Sequence, residues 1–219
     1  MKKLLGVAPL LLAPCLWAAS YTYTSNTYTT VVNYTSCTAG TCETFTTSMK
    51  LTGTFATVPS SLPPNVTLLN IAAIVTSFSF NNGITAFAST VPNTRVSAFQ
   101  VSTDSQGQIT QALIDIQLWM TGTSPHVAGN RLDEFVIVEN DNAYGNSICG
   151  SVGISPDGTP DTCLTPGPDS ASSFAHDNSN GSWVTNLSPT VPTLSQWSQI
   201  LLAALLGVAG WIMMRRRLA

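Results

Sequence analysis

Charge is scarce in this chain: only 9% of its 219 residues are Asp, Glu, Lys or Arg. Cations are scarcer still where they would matter. Of eight Lys and Arg, Lys2, Lys3, Arg215, Arg216 and Arg217 stand near the two ends, which leaves Lys50, Arg95 and Arg131 for everything between. Nucleic-acid binding depends on clustered cations that displace counterions. Three scattered ones exclude it, and they disfavour adsorption to an anionic membrane surface for the same reason. All eleven acidic residues lie between Glu43 and Asp177, an excess that reads as a solubility feature.

Histidine is nearly absent. His126 and His176 are the only side chains whose ordinary titration falls near neutral pH. His126 sits in the polar stretch Ser124-Pro125-His126. His176 precedes Asp177 and has Ser170, Ser172, Ser173 and Ser179 nearby in sequence. Triad members are set by geometry, not by sequence proximity, and a serine-rich chain supplies such neighbours by chance. Neither a G-x-S-x-G elbow nor H-E-x-x-H occurs. The chain reads as non-enzymatic, and a small secreted hydrolase worked by His176 is a third reading behind two binding or structural ones.

Helical periodicity is also missing between residues 21 and 190, where 66–75 is the one short helix candidate. Period-two alternation takes its place. Residues 21–35 alternate Thr and Tyr. Phe45, Met49, Leu51 and Phe55 face one side and Thr44, Thr46, Ser48, Lys50, Thr52 and Thr54 the other, with Thr47 and Gly53 breaking the apolar face. Further strands are expected at 71–80, 84–88, 96–103, 109–120 and 132–139, with a last short one at Trp183-Val184. In 109–120, Ala112, Ile114, Ile116, Leu118 and Met120 face inward, and Gln111, Asp115 and Gln117 outward. Asn81-Asn82-Gly83 and Asp104-Ser105-Gln106-Gly107 are turn signals. Residues 141–176, rich in Gly, Pro, Asp and Ser, read as long loops, and 178–190 as a linker. This pattern predicts an all-β ectodomain over 21–177, an antiparallel β-sandwich of jelly-roll-like character.

Residues 1–20 read as a secretory signal peptide: Lys2-Lys3, an apolar stretch from Leu4 to Trp17, then Ala18-Ala19-Ser20. Cleavage by signal peptidase is expected after Ser20, with Ala18 and Ala19 as alternatives. Cys15 has lipoprotein-box spacing, but Pro14 before it makes a poor substrate. Four cysteines remain, and an even number in an exported chain argues for disulfides. Of the three pairings, we expect Cys37–Cys42 and Cys149–Cys163, because each pair brackets a turn-rich stretch. Closing the longer loop contributes about 3 kcal/mol. Zinc is disfavoured by the x4 and x13 spacings.

Two ligand sites merit testing. Glu139, Asp141, Asn142, Asn146, Asp157 and Asp161 place hard oxygen donors in expected loops, the donor type calcium takes, although Asp-Gly and Pro-Asp are also ordinary turn dipeptides. No other cofactor is indicated. Tyr21, Tyr23, Tyr28 and Tyr34 are candidates for a face that binds extracellular polysaccharide, against the ordinary alternative of strand packing.

The last stretch addresses the chain. Val191-Pro192-Thr193-Leu194-Ser195-Gln196-Trp197 precedes an apolar run from Ile200 to Met214 and then Arg215-Arg216-Arg217. A helix over 194–214 would be about 31 Å long at ~1.5 Å per residue, enough to cross a ~30 Å hydrocarbon core. Trp197 and Trp211 suit the interfaces, and the arginines stop the helix on the cytoplasmic side. Val191, Pro192, Thr193, Leu194, Ser195 and Trp197, with the helix and the arginines, resemble the IPTL-CTERM sorting signal of Gram-negative bacteria. Val191, Gln196 and Ser198 stand where that signal usually has Ile, Glu and Gly. The resemblance implies an exported protein, anchored in the inner membrane by residues 191–219 until an exosortase cuts near the motif and passes the ectodomain to the cell envelope or the exterior. T-G-T-F, V-T-S-F-S-F-N-N-G and F-Q-V-S-T-D-S-Q-G-Q-I-T also resemble ectodomains of PEP-CTERM-type proteins, which implies a β fold and no activity.

Overall fold

A computed structural model describes residues 19–37, 39–58, 61–138, 141–179, 181–187 and 201–207. In chain order its strands are β1 (Ala19–Thr27), β2 (Thr30–Val32), β3 (Lys50–Thr57), β4 (Leu69–Asn70), β5 (Val75–Asn81), β6 (Ala86–Ala88), β7 (Thr94–Thr103), β8 (Ile109–Trp119), β9 (Arg131–Ile137), β10 (Asp141–Cys149), β11 (Val152–Gly153), β12 (Thr162–Cys163), β13 (Pro166–Gly167), β14 (Ser173–Asp177) and β15 (Ser182–Leu187). One sheet runs β15-β1-β3-β5-β6. A second runs β2-β14-β10-β9-β8-β7-β4, with β13 beside β10, and β11 pairs with β12. The ladders are antiparallel, and the protein is all-β as predicted.

Alternation decides what is buried. β1 turns Ala19, Tyr21 and Tyr23 inward and Ser20, Thr22 and Thr24 outward. From the other sheet, β8 contributes Ala112, Ile114 and Ile116 to the same core. Aromatic rings join the two sheets: Phe55 of β3 lies 5.1 Å from Phe99 of β7, and Phe80 of β5 lies 4.7 Å from Phe135 of β9. Gly53 interrupts its apolar face because Phe80, its cross-strand partner, lies over it. A Cβ there would stand 1.9 Å from the ring.

Both expected disulfides form, Cys37–Cys42 and Cys149–Cys163. The second anchors a small core of Trp119, Leu132, Cys149 and Cys163 on the outer face of β8 and β9. That layer buries Gln117, which the alternation assigned to solvent. Its amide bonds both ways to Cys163, donating to the carbonyl at 3.0 Å and accepting from the N–H at 2.9 Å.

Several boundaries differ from the sequence reading. The alternating stretch 21–35 is not one strand: after Thr27 the chain crosses to the second sheet, where β2 pairs with β14. Asn33 then substitutes for a strand pair, its side chain bonding the Phe45 carbonyl at 2.9 Å and amide at 2.8 Å. The strand expected from 71 begins at Val75, after a short 3-10 turn over Ala72–Ile74. Residues 141–149 are not a loop but a strand between β9 and β14. Its inward side is built from Asp141, Ala143 and Gly145, so no apolar run announces it. The linker assigned to 178–190 contains β15, held by six register pairs to β1.

Residues 201–207 are helical, with Leu201, Leu202, Leu205 and Leu206 exposed. Among the described residues no helix is long and apolar enough to cross a membrane. Residues 1–18, the motif 191–197, Arg215, Arg216, Arg217 and most of the expected span 194–214 lie outside the described residues.

Candidate functional site

The two stretches that read as export signals attach to one spot. Ala19, the first residue of β1, stands opposite Leu187, the last residue of β15, and on its other side opposite Thr57 at the end of β3. Ala19 is fully buried, so the expected boundary after Ser20 falls inside the strand. Leu187 is separated from Val191 by only Ser188, Pro189 and Thr190.

The start of β15 is tied down by a polar cluster. The Tyr23 hydroxyl donates to Asp141 of β10 and accepts from the Gly181 amide at 3.1 Å. Asp141 faces Asp177 across the β10–β14 ladder. Burial pushes the Asp141 carboxyl up to about 6. The Tyr23 bond opposes that shift and the Asp177 charge adds to it. Asp177 accepts from Ser179 at 2.9 Å.

The residues proposed for calcium do not come together. Asp141 and Asn146 lie far apart along β10, and Asn142 points to the opposite face. The Asn146 amide donates to Asp133 at 2.9 Å and its side chain to the Ala171 carbonyl at 3.2 Å. Asp157 accepts from Asn70 at 2.6 Å and from the Phe99 amide. Asp161 accepts from Arg95 at 2.8 Å and from the His126 amide at 2.6 Å. Glu139 lies outside the described residues. Among the described residues no three His, Cys, Asp or Glu are grouped to hold a metal.

A different acid cluster escaped the sequence reading. The Thr85 hydroxyl bridges Glu43 and Asp133, 3.0 Å from the latter. Both carboxyls are buried, at 3% and 0% exposure. Glu43 lies over Gly145, where a Cβ would stand 2.4 Å from its free oxygen. Burial, then the Asp133 charge, pushes Glu43 up to about 8, so it carries a proton at neutral pH. On the outer face of β9, burial and then the Asp115 charge hold Glu134 well above its usual range, and burial lifts Asp115 to about 6. Glu43, Asp133 and Glu134 are closed to solvent, and Asp115 is half-buried. Glu43 stands in a turn-rich stretch and Asp133 in a strand, and no local signal linked them.

The two histidines stand in unlike settings. His126 is buried, its ring stacked 4.4 Å from Trp119, and its Nδ1 lies 2.8 Å from Asp161 Oδ2. Burial alone would raise Asp161. Bonds from the His126 amide, the His126 ring and Arg95 outweigh it and leave the carboxyl below its usual range. This group fastens the 120–130 loop to β7 and β12. His176 and Asp177, neighbours in β14, point to opposite faces.

Tyr21, Tyr23 and Tyr28 are core residues with at most 2% exposure, so three of the four tyrosines assigned to a sugar-binding face are unavailable. The outer face of β10 and β14 carries aromatics instead. Tyr144 lies 6.4 Å from Phe174, and Phe174 lies 6.1 Å from His176 with ring planes within 5°. All three are half-buried.

No curated protein and no solved structure matches the chain. The functional assignment therefore rests on the segment that follows β15. Residues 190–217, Val191 and the three arginines included, match the protein family of the IPTL-CTERM motif, a C-terminal sorting tail.

Proposed function

We propose that this chain is an exported, non-enzymatic protein of the Gram-negative cell envelope, delivered by its tail. The observation that carries the reading is the matched segment beginning three residues beyond the last strand of the ectodomain. Signal peptidase removes the N-terminal stretch. A helix over about 194–214 then holds the protein in the inner membrane with Arg215, Arg216 and Arg217 in the cytoplasm. An exosortase cuts within 191–197 and releases the ectodomain to the envelope or the exterior. The two sheets form a β-sandwich, for which the aromatic contacts between Phe55 and Phe99 and between Phe80 and Phe135 speak. A non-catalytic role is supported by the commitment of His126 to a structural cluster and by the opposed directions of His176 and Asp177. The test is the C-terminal mass of the protein from its native host. A terminus within 191–197 is expected, and an intact terminus at Ala219 would reduce the tail to an uncut anchor.

A second reading follows from Tyr144, Phe174 and His176. Aromatic faces on a sheet surface stack on sugar rings, so the ectodomain would bind a neutral polysaccharide there. Glycan-array binding that disappears in Phe174→Ala supports it; an array without signal removes it.

A further inference from the structure

Along their strand orders the two large sheets end in four edge strands, and three of these are blunt. β6 closes the far side of the first sheet with three residues, while β2 and β4 close the second sheet with three and two. Shortness is one of the devices that keep the edges of a β protein from pairing with other chains. The fourth edge strand is β15, with six residues, Ser182-Trp183-Val184-Thr185-Asn186-Leu187. It contains no proline and no charged side chain. Its ladder to β1 runs through six register pairs without a bulge. Among the described residues β15 pairs with β1 alone, so the other side of its backbone is an open edge.

Side chains along β15 alternate between the two faces of the sheet. Trp183 and Thr185 are half-buried, and Ser182, Val184 and Asn186 are exposed. Val184 is 55% exposed. On one flank it has Thr22 of β1 as its register partner, and on the other it has the open edge. Val127 and Ile154 are more exposed, but they stand in loops, where no ladder would cover them.

Charge decides what can approach this edge. The strands of the first sheet carry one charged residue, Lys50 of β3, and β1 separates it from β15. All eleven acidic residues lie outside those strands. Asp141 and Asp177, which stand by the start of β15 through Tyr23, are buried. With eleven acids against Lys50, Arg95 and Arg131 in the ectodomain, two copies of this chain repel each other wherever exposed acids meet. At β15 they meet strand to strand without such a contact.

We propose that β15 is a self-association edge: two copies pair β15 with β15, antiparallel, and join their five-stranded sheets into one. A two-fold axis perpendicular to the sheet relates the copies, so the same patch is used on both and each side chain keeps its face. Opposed residues of an antiparallel pair point to the same side of the sheet. The pairing must therefore centre on a residue rather than between two. Centred on Val184, it sets Val184 against its mate, Trp183 against Thr185, and Ser182 against Asn186. The open flank of Val184 is then covered by valine, and no charged pair arises.

The test is thiol cross-linking of the purified full chain in detergent, in a Cys15→Ser background. The remaining cysteines are paired as Cys37–Cys42 and Cys149–Cys163 and contribute no free thiol. Directly opposed Cα atoms of an antiparallel pair are roughly 4.5–5.5 Å apart, inside the ~4.4–6.8 Å that a disulfide spans. Mild oxidation should give about tenfold more covalent dimer from Val184→Cys than from Val127→Cys, because pairing raises the effective concentration of the facing thiol. A mixture of Ser182→Cys and Asn186→Cys should cross-link, and neither alone should. Equal yields from Val184→Cys and Val127→Cys would overturn the proposal and leave β15 as an edge for a strand of a different protein or for none. Cross-linking through Val184→Cys without the Ser182–Asn186 combination would mean copies that collide, or that are held by their tails, without sharing a ladder, and overturns it as well.

Discussion

Ala19 and Leu187 face each other at the end of the β1–β15 ladder, so the first and last strands of the ectodomain are neighbours and their outer ends coincide. A chain carrying an export signal before one strand and a sorting tail after the other can therefore have both in one membrane without straining the fold.

That ladder predicts the mature N-terminus. Ala19 is buried and pairs on both sides, with Leu187 and Thr57. Cleavage after Ala18 keeps both pairs, whereas cleavage after Ser20 removes them together with the Ser20 pairs. We expect the mass of the mature protein to place its first residue at Ala19; a chain beginning at Tyr21 would mean the two pairs form only in the precursor.

Tyr23→Phe should loosen the strand that leads into the tail. The substitution leaves Asp141 buried without its donor and the Gly181 amide without its acceptor. Leaving a buried polar group unpaired costs about 1–3 kcal/mol. Hydrogen exchange over 181–187 should accelerate more than exchange over β8, and equal acceleration across the chain would show that the cluster does not act on β15 in particular.

Acid should stabilise the protein down to about pH 4. Glu43, Asp115 and Asp141 have carboxyls raised above their unfolded values, to about 8, 6 and 6. The stability each contributes is complete below its unfolded pKa and is lost as pH rises through its folded one. Asp161 and Asp169 are held low, Asp169 chiefly by Arg131, so their contribution is lost on further acidification. The melting temperature should therefore be higher at pH 5 than at pH 8. Glu43→Gln should flatten the part of that slope nearest pH 8, and an unchanged slope would mean that Glu43 does not titrate there.

Replacing Cys149 and Cys163 by serine should release the layer over Trp119 and Leu132. Loop-closure entropy puts the loss at about 3 kcal/mol, or a melting temperature lower by roughly 6–12 °C for a domain of this size. Trp119 emission should shift to the red as its cover opens. A melting temperature within a degree of the unsubstituted protein would mean that Gln117 and the Asp161 cluster hold the layer without the disulfide.

The sequence by itself determined the fold class, most strands, both disulfides and the tail, because each is written in short-range terms. Alternation in Tyr21-Thr22-Tyr23 or Ile114-Asp115-Ile116 needs only neighbouring residues to be seen. A sorting motif followed by an apolar run and arginines is likewise read in order. Tertiary structure decided the rest. β10 has an inward face of Asp141, Ala143 and Gly145, which fits a sheet interior only because Tyr23 and Glu43 arrive from elsewhere in the chain to fill the space and meet the charge. Gln117 is buried by a segment that alternation cannot anticipate. Glu43 and Asp133, like Ala19 and Leu187, acquire their meaning from juxtaposition across long loops. Such a juxtaposition depends on how two sheets cross, and that is settled by the packing of their shared core rather than by any local run of residues.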